Sequence, residues 1–222
     1  MNILDLKSVF NQNWSLFKIN LKEFTSKQSI IVNKYEPEET LKIRNLGCKN
    51  FVSMFDRYTL HCIEEIAETK EAMINFNSNE ENRKEALYEI IDILLYLGSM
   101  QYIINMNCED YNVNVEKEYD LNYYNDIMND TRYEDILLDT MELIIKQRRI
   151  WPHRNWHKSY SEFSSVDIAI SLEEMKRLNT LCIEYIISLF LKETNNDFIL
   201  LNKMVNSKEK LVIDLPMPKF TK

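Results

Sequence analysis

Hydrophobic positions recur along most of this chain at three- and four-residue intervals, the spacing of one face of a helix. Ile3, Leu4, Leu6, Val9, Phe10, Trp14, Leu16, Phe17, Ile19 and Leu21 predict a helix within residues 3–25. After a polar connector, Pro37-Glu38-Glu39 opens a second helical region, with proline early and acids in the first turn. Phe51, Met54, Phe55, Leu60, Ile63, Ile66 and Ala67 carry this region, bent near Gly47, to about Ile74. Asn75 to Asn79 is a break, and Ser78 followed by Glu81 is a capping-box pattern that starts a helix reaching about Asn105. Residues 107–130 are polar, tyrosine-rich and poorly periodic, and predict a long loop or insertion. Its Tyr119, Tyr123 and Tyr124 line a pocket or, as tyrosines more commonly do, simply pack. A helix over about Tyr133–Ile150 follows, and Ser171 caps another that runs to about Lys192. A short helical segment from Asn196 to Lys208 and an extended tail over 209–222 finish the chain, which contains no internal repeat.

Composition narrows this pattern to an all-α fold. The 222 residues include only two glycines, Gly47 and Gly98, and four prolines, too few turn formers for a sheet protein of this length. With 45% hydrophobic and 11% aromatic residues the chain has ample material for a core, and its length fits one domain over residues 1–222. The net charge of −8 leaves no basic excess to meet a phosphate backbone, which argues against nucleic acid as the main partner. Cys48, Cys62, Cys108 and Cys182 lack CxxC spacing and no secretory signal precedes them; reduced thiols in a cytoplasmic protein are the expectation. No apolar run reaches the ~18 residues of a membrane span. Ile90–Leu97 is short and Asp92 interrupts it.

Asp92 belongs to the most informative feature of the chain. Glu64-Glu65-Ile66-Ala67-Glu68 is an EExxE and Glu89-Ile90-Ile91-Asp92 an ExxD. Side chains three apart on a helix share a face, so each motif presents a carboxylate pair. The pairs Glu65/Glu68 and Glu89/Asp92 are equidistant from the Ser78-Asn79 break, about 12 residues or ~18 Å of helix on either side. In an antiparallel helix hairpin all four carboxylates meet at one level. Such convergence is repulsive unless a cation or protons intervene. Ile90, Ile91, Ile93, Leu94 and Leu95 surround Asp92, and a buried carboxylate needs a partner. All-oxygen ligation selects a hard cation, and Mg²⁺ serving a phosphate substrate is the common solution. EExxE alone is more often a solvated acidic face; a di-iron carboxylate bundle would bring Glu-x-x-His pairs, which are missing here. His61, one turn before Glu65, is read as a supporting or core residue.

A second concentration of chemistry lies at 146–158. Lys146, Arg148, Arg149, Arg154 and Lys158 are interleaved with Trp151, His153, Trp156 and His157. One reading is a phosphate clamp in which Arg149, Arg154 and Lys158 hold substrate and Trp156 stacks on a base. The other is a helix C-terminus whose cations complement the dipole while the tryptophans pack a junction.

EExxE followed, after a short helical hairpin, by ExxD resembles the signature of the all-α nucleoside triphosphate pyrophosphatases, the superfamily of dimeric dUTPases, phage dCTP/dUTP pyrophosphatases and MazG-type enzymes. The match covers roughly residues 60–100. The resemblance implies a helical bundle, usually a homodimer, that splits the α–β phosphate bond of a nucleotide, with dUTP or another pyrimidine deoxynucleotide as substrate. It implies Glu65, Glu68, Glu89 and Asp92 as Mg²⁺ ligands, with Mn²⁺ able to substitute, and Glu64 or one of the ligands as the group that orients or deprotonates water. Those dUTPases carry a base-reading glutamine near the N-terminus, and the resemblance implies Gln12 as its counterpart, within a loosely matching surround. Asn202 to Lys208 echoes a late phosphate-binding segment, which implies Lys203 and Asn206 as substrate contacts, although Lys and Asn are swapped and Glu209 occupies the arginine position. The rival from another class is a non-catalytic helical interaction protein with a structural metal site. Hydrolysis of a non-nucleotide phosphate is a smaller third reading.

Overall fold

A computed structural model describes residue 24 and residues 27–36, 41–113, 131–150 and 163–216. Among these the chain is all-α, with no strand. Five helices are long: α1 (Ile43–Ile74), α2 (Glu80–Asp110), α3 (Tyr133–Arg149), α4 (Ser165–Glu193) and α5 (Phe198–Asp214). The periodic segment 3–25 lies outside the described residues except for Phe24, as do residues 37–40.

The bundle is arranged around α2. Ile90, Ile91, Ile93, Leu97, Met100, Ile103 and Ile104 are all fully buried. It packs against α1, α4 and α5, while α3 lies against α1 and α4. An 18-residue window of α2, of mean hydropathy 1.3, is long and apolar enough by composition to cross a membrane, and 72% of it is buried within the bundle. Its apolar surface is therefore committed to helix packing.

Both glycines have positional reasons. Gly47 interrupts α1 with φ +73° and ψ 160°, a left-handed kink that a side chain resists. At Gly98 a Cβ would lie 2.5 Å from the ring carbons of Phe24 and 3.0 Å from Cγ of Gln28, so the glycine lets these two side chains press onto α2.

Several helix boundaries differ from those the sequence predicts. The expected connector before residue 37 contains a helix over 27–35. Its inward face is partly polar and therefore escapes hydrophobic periodicity: Gln28 is fully buried, donating to Glu209 Oε1 at 3.0 Å and accepting from Ser99 Oγ at 3.2 Å. Asn79, not Ser78, caps α2, accepting from the Asn82 amide at 2.8 Å, while the Ser78 amide closes the preceding turn on Asn75. The α2 helix continues past Asn105 to Asp110, so residues 107–110 are helix rather than loop. Asn107 is buried because it serves a neighbour: its Oδ1 accepts from the Ile43 amide at 2.8 Å, and its Nδ2 donates to the carbonyls of Leu41 and Ile103. It thereby caps α1, whose own Lys42 supplies no side-chain cap. Residues 114–130 lie outside the described set.

The start of α4 lies seven residues before the expected one. Ser164 and Asp167 form the capping box there, and Ser171 sits inside the helix. After left-handed Asn195 and Asn196, Asp197 caps α5, which runs to Asp214; the segment expected as a tail from 209 is helical through that point. Pro216 stops α5 by holding Leu215 extended, and Lys34 caps the end so formed. Its ammonium donates to the carbonyls of Val212 and Ile213, each at 2.8 Å, and to that of Leu215, fastening the 27–35 helix across the negative end of α5.

Candidate metal centre

Helical spacing gathers the functional side chains of two helices onto facing stripes. Arg57, His61 and Glu65 succeed one another at four-residue intervals on α1, and Asp92, Tyr96 and Ser99 at four and three on α2. All six border one cleft of about 500 Å³. Its apolar wall includes Leu95 and Ile31, and the 27–35 helix and the end of α5 close it with Tyr35, Glu36, Val212 and Leu215. That volume is in the range of small-molecule sites.

At one end of the cleft Glu65, Glu89 and Asp92 each bring a carboxylate oxygen within 4.8 Å of the other two. Burial, reinforced by the charges of Asp92, Glu68 and Glu89, pushes the Glu65 carboxyl up to about 7. Burial and the neighbouring Asp92 raise Glu89 as well. Asp92 is raised by burial, against the pull of a Lys208 hydrogen bond and charge. Its side chain retains 19% exposure, so it opens to the cleft instead of being sealed by its isoleucine neighbours. Three half-buried carboxylates with raised proton affinity form an anionic site that Lys208 only partly offsets, and an all-oxygen set is suited to Mg²⁺ or Mn²⁺.

The remaining acidic candidates have different settings. Glu68 is exposed and outside the 4.8 Å group, although its charge reaches Glu65 and Glu89. Glu64 is exposed and bonded to His61 Nδ1 at 2.9 Å. His61 is itself 55% exposed, not a core residue, and stacks on Tyr96 with ring centroids 5.6 Å apart. Burial and the charges of Glu65 and Asp92 push the Tyr96 phenol up to about 12, keeping it a hydrogen-bond donor.

Among the cations, α5 brings in Lys208, which donates to Asp92 and lies 5.5 Å from the ring centroid of Tyr88. Glu89, Lys208, Tyr88, Lys84 and Lys210 border a second, more open groove of about 790 Å³, so the carboxylate group stands where the two depressions meet. Lys203 and Asn206 are exposed on α5; Asn206 accepts from Lys27 at 2.9 Å, and neither lines these two depressions. Arg149 is exposed in the last turn of α3 and lines neither, while its neighbour Arg148 pairs with Asp56 at 3.1 Å. Gln12, Arg154, Trp156 and Lys158 lie outside the described residues.

Lys208 escaped the sequence reading as a site residue, yet a signal was present. Leu201, Met204, Val205, Lys208, Glu209 and Val212 fall on one helical stripe, and two charges interrupt its apolar run. Charges on a buried stripe need partners: Lys208 finds Asp92, and Glu209, 2% exposed, finds Gln28 and Lys27.

Compared with known proteins, the chain matches no family model, no curated protein and no solved structure.

Proposed function

We propose that this chain is an Mg²⁺-dependent nucleoside triphosphate pyrophosphohydrolase that resembles the all-α pyrophosphatases. The observation that carries the reading is the placement of Glu65, Glu89 and Asp92, oxygens within 4.8 Å, at the end of an aromatic-lined cleft. In this reading α1 and α2 form the antiparallel hairpin that brings EExxE and ExxD to one level. Glu65, Glu89 and Asp92 would hold the cation, with Glu68 completing the set. Such an ion would neutralise phosphate charge and acidify water. Glu64, or one of the α1 carboxylates Glu65 and Glu68, takes a proton from the attacking water. The water oxygen bonds to the α-phosphorus, the bond from that phosphorus to the bridging oxygen breaks, and the products are a nucleoside monophosphate and pyrophosphate. Lys208 and the other lysines of the open groove offer charge to the departing pyrophosphate. The aromatic cleft takes the nucleoside. A pyrimidine deoxynucleotide such as dUTP is the substrate the resemblance implies. A cytoplasmic homodimer, with neither nucleic acid nor membrane as partner, completes the proposal.

The second reading is a non-catalytic helical interaction protein whose acidic pairs serve as a structural metal site or as a surface. The Lys208–Asp92 ion pair favours its metal-free form, because the acidic group already possesses an internal counter-charge. Pyrophosphate release from a panel of deoxynucleoside triphosphates in Mg²⁺, repeated with Glu65→Gln and Asp92→Asn, separates the two. The enzyme reading expects release by the wild type and a loss of at least a hundredfold in both variants. No release from any nucleotide sinks it, and equal release by all three proteins sinks the site.

A further inference from the structure

The end of the cleft away from the carboxylates has its own polar pair. Arg57 Nη2 donates to Glu36 Oε1, and both residues line the cleft wall alongside Tyr58 and Tyr35. Arg57 precedes Glu65 by eight residues on α1, about 12 Å of helix rise. A metal-held phosphate at Glu65 therefore sits roughly one nucleoside away from this pair. Between them lie the stacked rings of His61 and Tyr96, and a planar base fits such a passage by stacking.

The chemistry of the pair is selective. A carboxylate only accepts hydrogen bonds and a guanidinium only donates them, in a planar fork that suits two adjacent acceptors. Arg57 commits one N–H to Glu36, and its other N–H groups can serve a ligand. Cytosine presents an exocyclic amine beside two acceptors, ring N3 and O2. The amine meets a carboxylate and the two acceptors meet the fork. Uracil has a carbonyl in place of the amine and an N3–H between its two carbonyls. The fork then finds no two adjacent acceptors, and a carboxylate drawn to the N3–H meets a carbonyl with its second oxygen.

We infer that Glu36 and Arg57 form the base-reading end of the cleft and select an amino-bearing pyrimidine, cytosine, over uracil. The inference rests on the nucleotide reading above and narrows its substrate. Neither residue takes part in bond breaking; both touch the base.

Two measurements on the full chain test it. In the first, dCTP and dUTP turnover in Mg²⁺ is compared for wild type, Glu36→Gln and Arg57→Gln. A single good base contact discriminates by about tenfold or more. The wild type is expected to favour dCTP in kcat/KM by at least that factor. Glu36→Gln, whose amide can also donate to a carbonyl, brings the ratio toward one, and Arg57→Gln lowers it chiefly through KM for dCTP. In the second, dCMP and dUMP binding is followed by calorimetry without metal, so that the base contact is read even if no nucleotide is cleaved. Tighter dCMP binding that Glu36→Gln abolishes supports the inference whatever the turnover. Equal binding of the two monophosphates, a preference for the uracil nucleotide, or a ratio unmoved by both substitutions overturns it. Turnover without base preference overturns this inference and leaves the enzyme reading standing; selective dCMP binding without turnover does the reverse.

Discussion

Replacing Lys208 by methionine keeps the length of the side chain and removes the one charge that α5 extends to Asp92. Both partners are about one-fifth exposed, with side-chain accessibilities of 22% and 19%. The cost falls between an exposed pair, worth up to ~1 kcal/mol, and the ~3–5 kcal/mol that follows loss of one partner from a fully buried pair. Loss of the Tyr88 contact at 5.5 Å adds a few tenths to ~1 kcal/mol. About 2 kcal/mol is therefore expected at pH 8, a fall in Tm of about 4–8 °C for a chain of this size. The sign with pH follows from the carboxyls that Lys208 holds down, Glu65, Glu89 and Asp92. Its stabilisation is present where they are ionised and fades as pH falls through their raised folded-state values, about 7 for Glu65. The assay is thermal unfolding by circular dichroism at pH 8 and pH 5, with and without Mg²⁺. The deficit of the variant should shrink at pH 5, and Mg²⁺ at pH 8 should restore more of its Tm than it adds to the wild type. A deficit that is equal at both pH values and insensitive to Mg²⁺ would refute the counter-charge argument and leave Lys208 a packing residue.

Four further outcomes follow from the geometry. Mg²⁺ should raise Tm more at pH 8 than at pH 5.5, because binding must displace protons from carboxyls whose affinity for them is raised, and Asp92→Asn should remove the difference. Without metal, the Glu65 shift acts in the other direction: its stabilisation is present below its ordinary value of 4.5 and lost as pH rises through about 7, a slope that Glu65→Gln should flatten in urea titrations. Asn107→Ala strips the buried Ile43 amide of its acceptor and should cost about 2–3 kcal/mol in urea unfolding; a loss below ~0.5 kcal/mol would contradict its role as the cap of α1. Gly98→Ala forces a methyl against the Phe24 ring; set against the ~1 kcal/mol that alanine gains in a helix interior, a net loss of about 1 kcal/mol is expected, whereas a stabilised variant would mean that Phe24 does not press on α2.

How much of this was legible in the sequence depends on whether a residue's partner was local. The all-α class followed from periodicity and the scarcity of turn residues, and the Gly47 bend from the single glycine of its own helical run. The proximity of Glu65, Glu89 and Asp92 was legible because helical spacing and a turn midway between the motifs are local facts. The helix at 27–35 was not legible, because Gln28 faces inward and obtains its partners from Ser99 and Glu209, far along the chain. Asn107 reads as loop polarity until Ile43 is placed beside it. Lys208 and Glu36 had the same property: each has an ordinary surface identity in sequence, and acquires chemical meaning only from Asp92 and Arg57 on other helices. Asn79 and the Ser164–Asp167 box were within reach, since both are recognised caps, and were missed because a neighbouring serine offered a competing start.

The most direct test of the account is the position of a metal. Crystals grown in Mn²⁺ should show, by anomalous scattering, an ion held by Glu65, Glu89 and Asp92, with Lys208 withdrawn from Asp92, and Asp92→Asn crystals should lack it. Strong anomalous density elsewhere with this triad empty, or Lys208 still bonded to Asp92 at saturating Mn²⁺, would contradict it.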